Sequence, residues 1–412
     1  MKSRKILIIV LIVVVLGLSA AGLWFQLSSQ TSLYYSIANA GHALQEMITD
    51  SGKFVYRVNL NPKVKLRPKY NVLRHLGSIY SLQQLRTFNS SLIDEDKLKA
   101  SIKFIVQETF RSTKEGRLGV WSCKVNKKQK KRRCQIKLGA LGLALTALAP
   151  YYQRYPNIYT LEQLKSIGDF ILALQKDDGS FYSKYYPGRG PSDKWTSLYY
   201  PGEAALGLIK LYKVTDDDKY MKGALKALKY LSKKRHKMKL RKIPVDHWAL
   251  IATGELFEMK RPAFLNEKDK ELIQEHAYKI IFKILKQQIR KSYNNNLIGG
   301  FNRSGNSTPT STRLEGLIAM YPFIDNPKFK KATKAGIKKG IDFLLTHQEP
   351  KGRFKGAWTR SVISLPENVG KKEFQRKARK FNLRATEIRI DYIQHALSAL
   401  IGAAKSDIEF GK

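Results

Sequence analysis

The strongest constraint on this chain is an alternation of two kinds of helical segment, repeated six times. Amphipathic segments begin near Ser32, Asp94, Thr160, Asp216, Asn266 and Asn326, most of them residues that cap helix N-termini well. In the fourth, Tyr220, Ala224, Ala227, Leu228 and Leu231 recur at helical spacing on one face. Lys219, Lys222, Lys226 and Lys229 fall outside that face, where water solvates them. The segments that follow are different. Leu138–Leu148 and Ala204–Ile209 are apolar nearly all round, so they must be buried on every side. Asn71–Leu85, Asp246–Met259, Arg313–Tyr321 and Asp391–Ala404 are the matching stretches. Between the two kinds recur Gly52-Lys-Phe54, Gly119-Val-Trp121, Gly179-Ser-Phe181, Gly300-Phe301 and Gly352-Arg-Phe354, where glycine breaks the helix and the aromatic plugs the gap between layers.

Outer amphipathic helices alternating with inner apolar ones, at a period of roughly 55–75 residues, close into a ring. The predicted fold is all-α, an (α/α)6 toroid of six helical hairpins with short β-type connections. An open helical solenoid would leave its inner helices a wetter face than these have.

The pattern resembles the six-hairpin glycosidase-like proteins, a group that includes unsaturated-uronyl hydrolases, N-acylglucosamine 2-epimerases and uronyl epimerases. The resemblance spans roughly residues 31–406. It is carried by Tyr199-Tyr-Pro-Gly-Glu203 ahead of an apolar helix, by Thr215-Asp-Asp-Asp-Lys-Tyr220 in a hairpin turn, by Asp246-His-Trp248 and by Thr312-Arg-Leu-Glu-Gly316. It implies the toroid fold and a carbohydrate-active enzyme, with hydrolase, lyase and epimerase chemistry all open; no single family of the group is matched. Toroids that hold zinc with Cys and His do not fit, because both cysteines lie in one basic connection. No clustered metal-ligand motif is visible, so neither metal nor cofactor is expected.

In a toroid of this winding every inner helix starts at the same rim. The polar residues of the inner helices gather at those starts, and such groups on otherwise apolar helices point to a shared polar pocket. Glu203, Asp246, His247, Glu315 and Asp391 are the candidate catalytic groups, carboxylates and an imidazole suited to acid–base work. Asn71, Arg74, His75, Tyr199, Tyr200, Arg313 and Trp195 are the candidate substrate-binding residues, the arginines as clamps for a carboxylate or phosphate and the aromatics as platforms for sugar faces. Lys137, Arg389 and His395 stand at equivalent starts. Each candidate also has a structural reading. Asp246 would cap its helix, the arginines would pair with neighbouring carboxylates, and His75 and His395 would be satisfied core histidines.

The 412 residues carry 75 Lys and Arg against 33 Asp and Glu, a net charge of +42, yet 43% are hydrophobic, which excludes a disordered polycation. Much of the excess lies in three runs, represented by Lys130, Lys131, Arg132 and Arg133, by Lys234, Arg235, Lys239 and Arg241, and by Lys372 and Arg376. All three lie in or run into outer-to-inner connections, so they are expected on the rim that carries the pocket, where they would concentrate an acidic polysaccharide or other anionic envelope polymer. No nucleic-acid module is recognisable.

Residues 1–5 form a basic tip and residues 6–25 an uncharged run long enough to span a bilayer as a signal-anchor. A cleaved signal peptide is the alternative, because Ser19-Ala-Ala21 is a plausible cleavage site. Residues 26–30 would be a short tether and 31–412 the toroid, held outside the cytoplasm at the membrane. In an oxidising compartment Cys123 and Cys134 can pair across their basic loop. The expected function is action on an anionic polysaccharide or cell-envelope polymer. The alternative is a non-catalytic binding or assembly protein that holds acidic polymer or anionic lipid on the basic rim.

Overall fold

The computed structural model describes residues 32–67, 69–126, 131–259 and 265–410. Six helical hairpins form a double ring. The outer helices are α1 (32–45), α3 (Glu95–Thr109), α5 (Leu161–Ala173), α7 (Asp218–His236), α9 (Glu267–Gln287) and α11 (Pro327–Thr346). The inner helices are α2 (Val72–Phe88), α4 (Leu138–Leu148), α6 (Tyr200–Thr215), α8 (His247–Glu258), α10 (Ser307–Met320) and α13 (Ile390–Lys405). The inner helices pack in order, α2 on α4, α4 on α6 and so on to α13, which packs back on α2. The ring is closed, as the helix chemistry requires.

The caps fall where the sequence places them. Asp94, Asn266 and Asn326 each accept the backbone N–H three residues on, and Thr160 and Gln163 form a reciprocal capping box. The fourth outer helix is capped by Asp217, not Asp216; Asp216 sits in the left-handed region and ends α6. The small residues of the inner helices serve contact. A Cβ on Gly207 would lie 2.5 Å from the carbonyl oxygen of Gly142, so α4 and α6 cross backbone to backbone.

Two features depart from the repeat. The third basic run is not a loop but a further helix, α12 (Lys372–Ala385), whose Ala378 and Ala385 face inward while its basic residues stand in water. The connections also build two antiparallel sheets. β1 (Arg57–Asn59) pairs with β7 (Glu387–Arg389), tying the first hairpin to the last. β2 (Phe110–Ser112), β3 (Leu118–Asn126), β4 (Lys131–Lys137), β5 (Lys184–Tyr186) and β6 (Gly190–Ser192) form a five-stranded sheet in that order. Cys123 lies opposite Cys134 across β3 and β4, and the two are joined as a disulfide.

Among the described residues no helix is long and apolar enough to cross a membrane. The expected anchor, residues 6–25, lies outside them.

Candidate functional site

The inner helices all begin at one end of the ring, and their first turns surround a cavity of about 530 Å3. Arg74 enters it from α2 and Lys137 from the residue before α4. Tyr199, Tyr200 and Glu203 enter from the start of α6, His247 from α8, Arg313 from α10 and His395 from α13. Asn71 caps α2 through Leu73 N–H at the cavity edge, and Trp195 stands half-exposed there with its ring 5.6 Å from that of Tyr200. Trp248 lines the wall but is otherwise buried.

Two residues that line this cavity each carry a polar atom sealed from solvent without a hydrogen-bond partner among the described residues: Glu203 Oε2 and His247 Nε2. Burial raises the Glu203 carboxyl to about 8, with the Arg74 charge opposing and Asp246 assisting. A Cβ on Gly139 would lie 2.0 Å from Glu203 Oε2, so only glycine leaves the carboxyl its place. Burial also holds the His247 imidazole well below its ordinary value, and the nearby charges of His395, Arg74 and Arg313 act in the same direction. At neutral pH Glu203 is a proton donor and His247 a neutral acceptor.

Of the arginines beside them, Arg313 is open to an anion and Arg74 shares a carboxylate with Arg389. Arg313 donates to Gln287 Oε1 and to the Pro309 carbonyl and among the described residues meets no carboxylate. Arg74 Nε lies 3.5 Å from Asp391 Oδ2, but that carboxylate already takes two 2.8 Å bonds from Arg389.

The other sequence candidates are placed elsewhere. Asp246 does not face the cavity; its Oδ2 takes both terminal nitrogens of Arg235 at 3.0 Å and its Oδ1 caps α8 at Ala249 N–H. Arg235 is accordingly no rim residue but the buried half of that pair. Asp391 is likewise buried and serves to hold Arg389 and Arg74. Glu315 meets His395 Nδ1 at 2.8 Å and lines a smaller cavity, of about 260 Å3, that also takes in Glu255 and Glu258 from the far end of α8. His75 is fully buried between α2 and α3, with Nε2 at the Ser101 carbonyl, Nδ1 at the Tyr70 hydroxyl and its ring against Phe54 and Phe104. One residue of helical rotation separates it from Arg74, which explains why one faces the cavity and the other does not. Lys234 turns into a groove on the flank of α7. Arg133, Lys239, Arg241, Lys372 and Arg376 are exposed on connections that lead into inner helices. Lys130 lies outside the described residues, as do the side chains of Lys131 and Arg132.

Donor atoms of His247, Glu315 and His395 gather within 4.8 Å of one another. The three residues come from three helices, which is why no linear motif announces them. Within this group His395 Nδ1 and Glu315 Oε2 already hold each other at 2.8 Å. Lys184, missed in the sequence, also stands at this cavity's edge, its ammonium 4.6 Å from the Trp195 ring centre. Its strand, β5, is three residues long and carries no periodic signal.

The family model of the beta-L-arabinofuranosidase GH127 catalytic domain matches residues 75–247. No curated protein sequence matches the chain. Among solved structures, cellobiose 2-epimerase from Bacillus thermoamylovorans is similar at a TM-score of 0.59 and 12% identity, over 87% of this chain and 95% of that one. Unsaturated glucuronyl hydrolase from Streptococcus agalactiae follows at 0.55 and 12%, over 92% and 94%. A GH76 alpha-mannanase from Bacteroides thetaiotaomicron gives 0.56 and 12%, over 90% and 95%. The fold is that of the six-hairpin glycosidase-like proteins, as the sequence resemblance implied. The match of residues 75–247 to a glycosidase catalytic domain supports a carbohydrate-active enzyme.

Proposed function

We propose that this chain acts on an acidic sugar by removing a proton beside the sugar's carboxylate, the step that lyases and epimerases share. The observation that carries this reading is that Glu203 and His247, each with an unpartnered buried atom, line one cavity with Arg74 and Arg313. The arginines hold the carboxylate, and their charge stabilises the enolate-like anion left when the neighbouring proton departs. The His247 imidazole takes that proton. Burial is the main cause that holds the imidazole low, and a bound carboxylate offsets the arginine charges that add to it, which moves the base toward accepting a proton. Glu203 supplies a proton to the leaving glycosidic oxygen in a lyase, or to the carbon in an epimerase.

A hydrolase of the two-carboxylate kind fits less well. It needs a second carboxyl at roughly 5–10 Å across the scissile bond. Asp246, Glu315 and Asp391 are all engaged with basic partners and do not line this cavity. The reading extends to an envelope or extracellular polymer as substrate, with the toroid held at the membrane by residues 6–25.

The test is incubation of the full chain with a panel of uronate-containing polysaccharides in deuterated water. Unsaturated, ultraviolet-absorbing ends, or deuterium at the carbon beside the carboxylate, are the expected products. New reducing ends without either would make the protein a hydrolase. Salt-sensitive retention of unchanged, undeuterated polymer would make it a binder.

A further inference from the structure

The five-stranded sheet presents two different faces at the cavity edge. On one, Ile136 lies opposite Tyr185, both buried, and Trp121 packs against Tyr185. Residues directly opposite each other across a ladder share a face. On the other face, Lys124 therefore stands with Arg133 across β3 and β4, and Lys137 with Lys184 across β4 and β5. Like charges directly opposite one another destabilise a sheet. Among the described residues none of these four is within ion-pair distance of a carboxylate. Burial presses the Lys137 ammonium below its ordinary value, and Lys124, Lys184 and Arg74 press it further. The fold thus holds an uncompensated cationic face, with one member, Lys137, in the cavity wall. Trp195 completes the arrangement as a half-exposed ring beside Lys184, of the kind on which a sugar face stacks.

We infer that this sheet face is a second acidic-sugar subsite, in which Lys137, Lys184 and Lys124 hold the carboxylate of a neighbouring unit stacked on Trp195. The inference rests on the acidic-sugar reading of the cavity and sharpens it. The substrate is an oligomer or polymer with charge on adjacent units, not a single uronate, and the chain extends from Arg74 and Arg313 across the start of α4 toward the sheet. Each of these lysines that gains a carboxylate is worth roughly a 2–5-fold gain in affinity.

Calorimetric titration of the full chain, kept in detergent, with galacturonate and with trigalacturonate at low salt tests this. The wild type is expected to prefer the trimer by at least about tenfold. Lys184→Gln combined with Lys124→Gln is expected to collapse that ratio toward one. An unchanged ratio, or a parallel loss for both ligands, overturns the subsite. A separate thermal-shift series with inorganic sulfate reads the lysine face without any sugar. The sulfate-induced rise should be smaller in the double variant than in the wild type, and an equal rise overturns the inference. If neither uronate binds the wild type, the acidic-sugar reading of the cavity fails, and the sulfate comparison still decides whether the sheet face takes anions. The double variant removes a repulsion, so folding should not obscure either measurement.

Discussion

At Glu203 a carboxyl that water would hold ionised is kept protonated by burial, with about 8 as the value at which it releases its proton. The folded value is above the ordinary one of 4.5, so the native state binds more protons than the unfolded chain between those two values. Stability is therefore full below pH 4.5 and is lost as pH rises toward 8, at a slope approaching about 1.4 kcal/mol per pH unit. Glu203→Gln removes this term. The difference in unfolding free energy between variant and wild type should widen in the variant's favour from pH 5 to pH 8, measured by urea titration at each pH. The same substitution should lower kcat/KM by about 10²–10⁴-fold, the range for loss of a general acid. The wild-type rate should fall off above about pH 8 as the donor ionises. A flat stability difference across that range would show that Glu203 is hydrated and ordinary. Gly139→Ala probes the same carboxyl from the other side. The new methyl would occupy the position of Oε2, so activity should fall severalfold while stability drops by about 1–3 kcal/mol, the usual range for overpacking.

Between elements, the buried pair of Arg235 and Asp246 bolts outer helix α7 to the start of inner helix α8. Breaking one side leaves an uncompensated buried charge, so Arg235→Met should cost about 3–5 kcal/mol by chemical denaturation. Combining it with Asp246→Asn should cost less than the two single changes added together. The Cys123–Cys134 bridge does comparable work on the β3–β4 hairpin, which carries Lys124 and Lys137. Cys134→Ser should lower stability by about 2–3 kcal/mol, as expected for an 11-residue separation. These two contacts also show what the sequence made legible. The six hairpins, most caps and the shared rim follow from periodicity and local capping chemistry. The sequence marks the start of α8 at Asp246, but it groups Arg235 with the rim charges, because a basic run does not reveal which member turns inward. Arg74 and His75 were not separable for a related reason. On a helix apolar all round, hydrophobic periodicity does not define which side faces the cavity. Lys184 was invisible because a three-residue strand gives no pattern, and its role arises only from pairing with β4.

Over the whole molecule, a net charge of +42 on 412 residues makes approach to an acidic polymer an electrostatic problem before it is a chemical one. Lys239, Arg241, Lys372 and Arg376 are exposed on connections that feed the inner helices at the cavity end, yet they do not line the cavity. If they gather polymer, they act on encounter and not on the bond-breaking step. Replacing all four by glutamine should then lower kcat/KM on a long acidic polymer about tenfold or more at low ionic strength and leave kcat nearly unchanged. The loss should shrink as salt is raised and be nearly gone by about 1 M, where the Debye length has fallen to about 3 Å. A short acidic oligomer seated wholly within the cavity should be far less sensitive to the same four changes. Steady-state kinetics on polymer and trimer across a salt series separates these effects. A uniform loss on both substrates, independent of salt, would place those four residues in the binding site itself and remove the case for a steering rim.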